Sequence, residues 1–238
     1  GIALASGASN VSVSAQFRDY TNASGVITTN QALPFEPPGP SSRRTALTFT
    51  EIMYNPPDAW ATNNLQFVEL YNSGTVQEDL TGHRLTSDIS FDFPSGTMLA
   101  AGQYLIIAKN PAAFAEFYGV SALGPFTGNL PNSGGTLRLV SEVGGRLLEV
   151  EYDNKWPWPV AADGAGHSLV LRRPSYGENN AAAWAASDVV GGSPGRADPY
   201  GTEPARNVVI NEFLAHTDPP ELDYIELYNH GNSDVDLA

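Results

Sequence analysis

The stretch QFVELYNSGTVQEDL at residues 66–80 recurs as DYIELYNHGNSDVDL at residues 223–237. The identical residues of the two stretches are separated by a constant offset: Glu226 follows Glu69 by 226 − 69 = 157 residues. A spacing of this size is typical of a whole-domain repeat, because solenoid units run only about 20–50 residues. The chain therefore contains a duplicated unit, and its function has to be argued for modules.

The similarity continues upstream of both copies. The lead-in TEIMYNPPD at residues 50–58 resembles NEFLAHTDPP at residues 211–220. Between the copies the chain has room for one complete domain. We expect five segments: a β hairpin at 1–33 that ends a preceding β domain, a Pro/Ser-rich linker at 34–46, a complete domain at 47–198, a linker at 199–206, and the start of a second, truncated domain at 207–238.

Short strand patterns follow one another from Ala46 onward. ALTFTEIMY at 46–54 and LQFVELYN at 65–72 alternate apolar and polar residues, and similar runs recur up to HSLVLRR at 167–173. About eight short strands at turn-separated intervals predict an antiparallel sandwich or barrel. The single strong helix signal is PAAFAEFYG, which Asn110 caps, Pro111 opens and Gly119 ends. A second helical turn is expected within 179–187.

Composition excludes several classes of protein. The net charge of −14 repels phosphate backbones, so nucleic-acid binding is not expected. The chain has no cysteine, which excludes disulfides and thiolate metal sites. No apolar run approaches the roughly 20 residues of a membrane helix, so direct membrane insertion is not expected. The 23 glycines and 18 prolines are typical of a turn-rich exported β protein.

These blocks, taken in order, resemble the bacterial lamin-tail domain family. The similarity runs through EIMYNPP, FVELYN, DLTGHRLTSD, FDFPSGTMLAAGQYLIIAKN, NSGGTLRLVSEVGGRLLEVEYD, WP, DGAGHSL and GGSPG, over about residues 47–198. Residues 207–238 resemble the opening of a second copy. The resemblance implies an immunoglobulin-like antiparallel β-sandwich with flanking β hairpins. It also implies tandem copies in large exported or surface proteins, and the family has no established catalytic residues to carry over.

The repeat signature is interpreted as structural. It comprises Glu69, Tyr71 and Asn72 and their second-copy counterparts Glu226, Tyr228 and Asn229. Alternation leaves Glu69 either at the sheet surface or buried with a partner. A buried carboxylate there is expected to cap loop N–H groups or to pair with Arg84.

The sequence offers no catalytic constellation. The histidines form no HExxH pattern, and GGSPG at 191–195 is not a nucleophile elbow, so we expect no enzyme activity and no cofactor. The acidic run at 217–226 lacks the central glycine of an EF-hand. A solvated loop is the preferred interpretation, with a weak calcium site at Asp218, Glu221 and Asp223 as the alternative.

The WPWP segment at 156–159 is the main candidate contact surface. Prolines make the segment stiff and extended, so Trp156 and Trp158 are expected to point to opposite sides. An exposed indole stacks on sugars or anchors protein partners, whereas the alternative is that both cover an open end of the sandwich.

The sequence as a whole predicts a non-catalytic structural or adhesive module of a larger extracellular or cell-surface bacterial protein. Its expected partners are the neighbouring domains, other copies of itself, and surface glycans or proteins. The alternative is a carbohydrate- or calcium-binding accessory module of an extracellular hydrolase or kinase-like enzyme.

Overall fold

A computed structural model describes residues 45–57, 63–199, 207–215 and 222–235. The expected hairpin at 1–33 and most of the linker at 34–46 lie outside these residues. Among the described residues between 47 and 186 there are twelve short strands and one α-helix: β1 Leu47–Met53, β2 Phe67–Asn72, β3 Glu78–Asp79, β4 Arg84–Ser87, β5 Ile89–Asp92, β6 Met98–Leu99, β7 Tyr104–Ala108, α1 Pro111–Tyr118, β8 Thr127–Gly128, β9 Gly135–Val140, β10 Arg146–Tyr152, β11 Leu169–Leu171 and β12 Trp184–Ala186. Strands β13 Val208–Leu214 and β14 Tyr224–Asn229 follow.

Two five-stranded antiparallel sheets form the body of the molecule. Sheet I has the order β12-β11-β1-β2-β7, and sheet II has the order β10-β9-β4-β5-β8. Strands β3 and β6 form a separate two-stranded ribbon. The predicted immunoglobulin-like antiparallel sandwich is confirmed.

The main core lies between the sheets. It includes Val68 and Leu70 of β2, Ile107 of β7, Leu137 of β9 and Val150 of β10. Because side chains alternate along a strand, the same strands of sheet I also have an outer face.

That outer face of sheet I carries a second apolar cluster. Phe67 and Ile106 pack there against Phe114 of α1, and the Phe67 and Phe114 rings meet edge to face at 5.3 Å. Helix α1 has the predicted bounds. The Asn110 side chain accepts a hydrogen bond from Ala113 N, and Gly119 closes the helix with a positive φ of 67°.

The helical turn expected within 179–187 is present as a single 3₁₀ turn at residues 181–183, which leads into β12, where Trp184 is buried and pairs with Leu171 of β11. One local prediction is wrong, because the WPWP segment is not extended. Residues 155–158 form a tight turn in which Trp158 N–H donates to Lys155 O at 2.9 Å.

Strands β13 and β14 form a two-stranded antiparallel hairpin. Its pairing repeats that of β1 and β2: Leu47 faces Asn72 as Val208 faces Asn229, and Met53 faces Phe67 as Leu214 faces Tyr224. The register irregularity also recurs, between Phe49 and Glu51 in one hairpin and between Ile210 and Glu212 in the other. No described helix is long and apolar enough to cross a membrane.

Candidate functional site

Two acidic side chains are buried side by side on the outer face of sheet I. Glu51 of β1 lies directly opposite Glu69 of β2, and each is 1% exposed. Like charges opposite each other on neighbouring strands destabilise a sheet, and burial of a charge adds a further cost. Such a pair therefore needs hydrogen-bond donors, protons or both.

The donors come from a glycine-rich segment near the C-terminal end of the sandwich. Ser193 N donates to Glu51 Oε1 at 2.9 Å, and Gly195 N donates to Glu69 Oε2 at 2.6 Å. Two hydroxyl groups also donate hydrogen bonds: Ser168 Oγ donates to Glu51 at 2.5 Å, and Thr50 Oγ1 donates to Glu69 at 2.6 Å. We call this arrangement the carboxylate clasp, comprising Glu51, Glu69 and the segment 191–198.

A third buried acid fixes the far end of the same segment. Asp198 forms an ion pair with Arg172, and the side chains of both are less than 10% exposed. It also accepts hydrogen bonds from Ser187 Oγ and, at 3.1 Å, from Ser193 Oγ. The segment is therefore attached to sheet I at both ends by charge-assisted hydrogen bonds.

Gly192 is required by the geometry of the clasp. Its φ is +86°, and a Cβ atom there would lie 2.0 Å from Glu51 Oε1 and 2.8 Å from Ser168 Oγ. No side chain fits at this distance, so the close approach of the backbone to the carboxylate depends on glycine.

The environment favours the protonated form of both glutamates. Burial raises the pKa of Glu51 well above its ordinary value of 4.5, and the charge of Glu69 raises it further. Burial also raises the pKa of Glu69 from 4.5 to about 7, although the hydrogen bonds from Thr50 and Gly195 oppose this change. The pair therefore binds protons more tightly than ordinary glutamates do.

The cavity beside the clasp is small. It has a volume of about 50 Å³ and is lined by Glu51, Glu69, Tyr104, Arg172 and Asp198 among others. A ligand pocket usually has a volume of about 300 Å³ or more. This space is suited to water and not to a substrate.

The predicted signature residues of the first copy make contacts within the chain. Glu69 caps a loop N–H, one of the two arrangements expected, whereas Arg84 lies on β4 of the opposite sheet. Asn72 is buried and binds the following turn, accepting from Gly74 N and donating to Val76 O. Tyr71 stacks on Tyr104 with ring centroids 4.6 Å apart.

The hairpin repeats these local contacts. Asn229 accepts from Gly231 N and donates to Ser233 O, as Asn72 does with Gly74 and Val76. Asn211 Nδ2 donates to Glu226, as the Thr50 hydroxyl donates to Glu69. Tyr228 is 55% exposed on β14.

The two tryptophans of WPWP separate completely. Trp156 is 89% exposed, whereas Trp158 is 8% exposed and lies 6.3 Å from Trp184 between ring centroids. Of the three candidate calcium ligands, Asp218 and Glu221 lie outside the described residues and Asp223 lies on the exposed surface before β14. Among the described residues, no group of three or more His, Cys, Asp or Glu side chains could hold a metal ion.

Sequence reasoning missed the partners of Glu69. Glu51 was detectable, because TEIM at 50–53 aligns with NEFL at 211–214 and the glutamate is shared. The role of GGSPG at 191–195 was not detectable, since its contacts with Glu51 and Glu69 span 142 and 126 residues.

Comparison with known proteins finds a family model that matches part of the chain. Residues 40–154 match the family model of the Lamin Tail Domain. A search of curated proteins found no match to the chain. The family match ends before β11, although β11 pairs with β1 inside sheet I and the clasp segment contacts β1 and β2.

Proposed function

We propose that this chain, which carries a lamin tail domain at residues 40–154, is a non-catalytic structural module of a larger exported or cell-surface bacterial protein. An immunoglobulin-like sandwich is consistent with such a role. The content of 23 glycines and 18 prolines, with only 16% charged residues, supports an exported β protein.

The carboxylate clasp is the observation that carries this proposal. The acids with the most perturbed environment, Glu51 and Glu69, are the usual candidates for catalysis. Here each is 1% exposed and hydrogen-bonded to the chain itself, and the adjacent cavity holds about 50 Å³. The role we propose for them is to attach the segment 191–198 to the outer face of sheet I.

Turnover assays test the non-catalytic role. We expect no hydrolysis of model esters, phosphomonoesters, glycosides or peptides above the buffer rate. Glu51→Gln and Glu69→Gln provide the internal comparison, because both retain side-chain shape. A turnover that wild type has and either variant lacks would refute the proposal.

Within this function, Trp156 is the proposed contact residue. A turn holds Trp156 in place, because Trp158 is buried and the Lys155 N–H donates a hydrogen bond to Asp153 Oδ1 at 3.0 Å. A fixed, exposed indole offers a large contact area at a low entropic cost. The proposed partners are a protein surface or a glycan, and the latter favours the second candidate, a carbohydrate-binding accessory module.

Binding measurements separate these candidates. Calorimetric titration with soluble oligosaccharides should give saturation with wild type and none with Trp156→Ala if the module binds sugar. Val143→Ala is the control, since Val143 is 92% exposed on a different turn. A parallel calcium titration tests the accessory calcium role.

The hairpin β13–β14 supports a tandem organisation. Its register, its irregularity and the hydrogen bond from Gly231 N to Asn229 Oδ1 all repeat those of β1–β2. We therefore propose that residues 207–238 begin a second domain of the same kind.

A further inference from the structure

The hairpin β13–β14 exposes apolar side chains whose counterparts are buried in the first domain. Ile210, Phe213, Ile225 and Leu227 are 64%, 71%, 67% and 51% exposed, whereas their counterparts Phe49, Ile52, Val68 and Leu70 are all 0% exposed. An isolated two-stranded hairpin is at best marginally stable in water. This surface is therefore a docking face.

The first domain indicates what covers such a face. There, β11 and β7 add to the two edges of β1–β2, and sheet II packs on the inner side. On the outer side, the clasp segment 191–198 donates two backbone N–H groups to Glu51 and Glu69. The hairpin carries the same acids at the same register, since Glu212 faces Glu226.

We propose, on the basis of the tandem organisation above, that the hairpin binds in cis the body of a second lamin-tail sandwich. That body supplies one strand to each hairpin edge, an opposing apolar sheet, and a glycine-rich turn whose N–H groups bind Glu212 and Glu226.

The contact area between two stacked hairpins would be too small to form a stable interface. A seven-residue strand is about 23 Å long and two strands are about 10 Å wide, so one face covers roughly 230 Å². A stable interface needs about 800 Å² from each partner. A sandwich body covers both faces and both edges, which two hairpins cannot do for each other.

Chain direction and charge favour a body joined in cis. In the first domain the Asn72 turn delivers the chain to β3 of its own body, and the Asn229 turn has the same hydrogen bonds. A separate copy of the chain would bring a second net charge of −14 to the contact, and like charges repel.

An extended chain tests the proposal. Leu237 aligns with Leu80, so residues 82–199 of the same sequence are appended after Ala238. Hydrogen exchange of β13 and β14 is then compared with that of the unextended chain. We expect their protection to rise by more than about a thousandfold, as for strands in a folded domain, while light scattering reports a monomer.

Variants make the result specific. Phe213→Asp should abolish the gain in protection, whereas Val143→Asp should not, because Val143 is 92% exposed in the first domain. As a folding control, residues 208–229 of the extended chain are replaced by residues 47–72. If this control folds and the original hairpin stays unprotected, the proposal is refuted.

Two other outcomes are distinguishable. If the unextended chain is already dimeric, with a hairpin that loses protection on dilution, the partner is a second copy and the assignment in cis is wrong. Neither result affects the turnover assays, so failure here leaves the non-catalytic role standing.

Discussion

Replacing Glu69 with glutamine should change the pH dependence of stability in a defined direction. The pKa of Glu69 rises from 4.5 to about 7 in the folded state. The folded chain therefore holds this proton more tightly than the unfolded chain does. The stabilisation that this proton contributes to the fold is fully present below pH 4.5 and is lost as the pH rises through about 7. At about 1.4 kcal/mol per pKa unit, the loss is about 3 kcal/mol.

Urea unfolding between pH 4.5 and pH 7.5 measures this effect. Glu69→Gln cannot ionise, so its free energy of unfolding relative to wild type should increase by about 3 kcal/mol across this range. The difference reports on the coupled pair, since Glu51 faces Glu69 and Asp198 lies nearby.

Glu149→Gln is the control for this experiment. Hydrogen bonds from Arg138 and Arg146 lower the pKa of Glu149 below its ordinary value of 4.5. The stabilisation that ionised Glu149 contributes to the fold is therefore present above pH 4.5 and is lost only in more acidic solution. This variant should show no comparable increase between pH 4.5 and pH 7.5. The reasoning about the clasp would be refuted if the free energy of unfolding of Glu69→Gln relative to wild type stayed constant, or decreased, as the pH rises.

Three further predictions concern stability and metal. Gly192→Ala should destabilise the fold by about 2–4 kcal/mol in urea unfolding, because its Cβ would lie 2.0 Å from Glu51 Oε1. Gly177→Ala has the same φ of +86° with no heavy atom within 4 Å, so a cost of about 1–2 kcal/mol is expected; equal costs would mean that backbone strain alone matters. Trp158→Ala should lower the free energy of unfolding by about 3–5 kcal/mol, whereas Trp156→Ala should change it by no more than about 0.5 kcal/mol. The reverse order would contradict the burial of Trp158, which is 8% exposed, and the 89% exposure of Trp156. Excess chelator should leave the Tm unchanged, and a fall of more than about 10 °C would reveal a structural ion.

Local signals in the sequence were sufficient for the elements. Alternation predicted the strands around residues 47–53 and 67–72, and the order Asn110, Pro111, Gly119 predicted the bounds of α1. Each of these signals depends on residues within a few positions of one another. The error at 155–158 arose where the burial of Trp158 overrides the local preference for an extended chain.

The candidate site was only partly accessible. The repeat singled out Glu69, and the same alignment contained Glu51. Nothing within either copy predicted Gly192, Ser193 or Asp198 as their partners, because the strand patterns describe faces of a sheet and not the loop that packs on one of them.

The sequence by itself determined the fold class and the helix, and it contains the repeated sequence at residues 66–80 and 223–237, since period, turn chemistry and repetition are all readable along the chain. Only the tertiary structure decided that Glu51 and Glu69 are neighbours and that a glycine-rich segment caps both. The reason is physical: the Glu51–Ser193 hydrogen bond closes a loop of 142 residues, and its stability comes from burial in the assembled sandwich, which no local preference encodes.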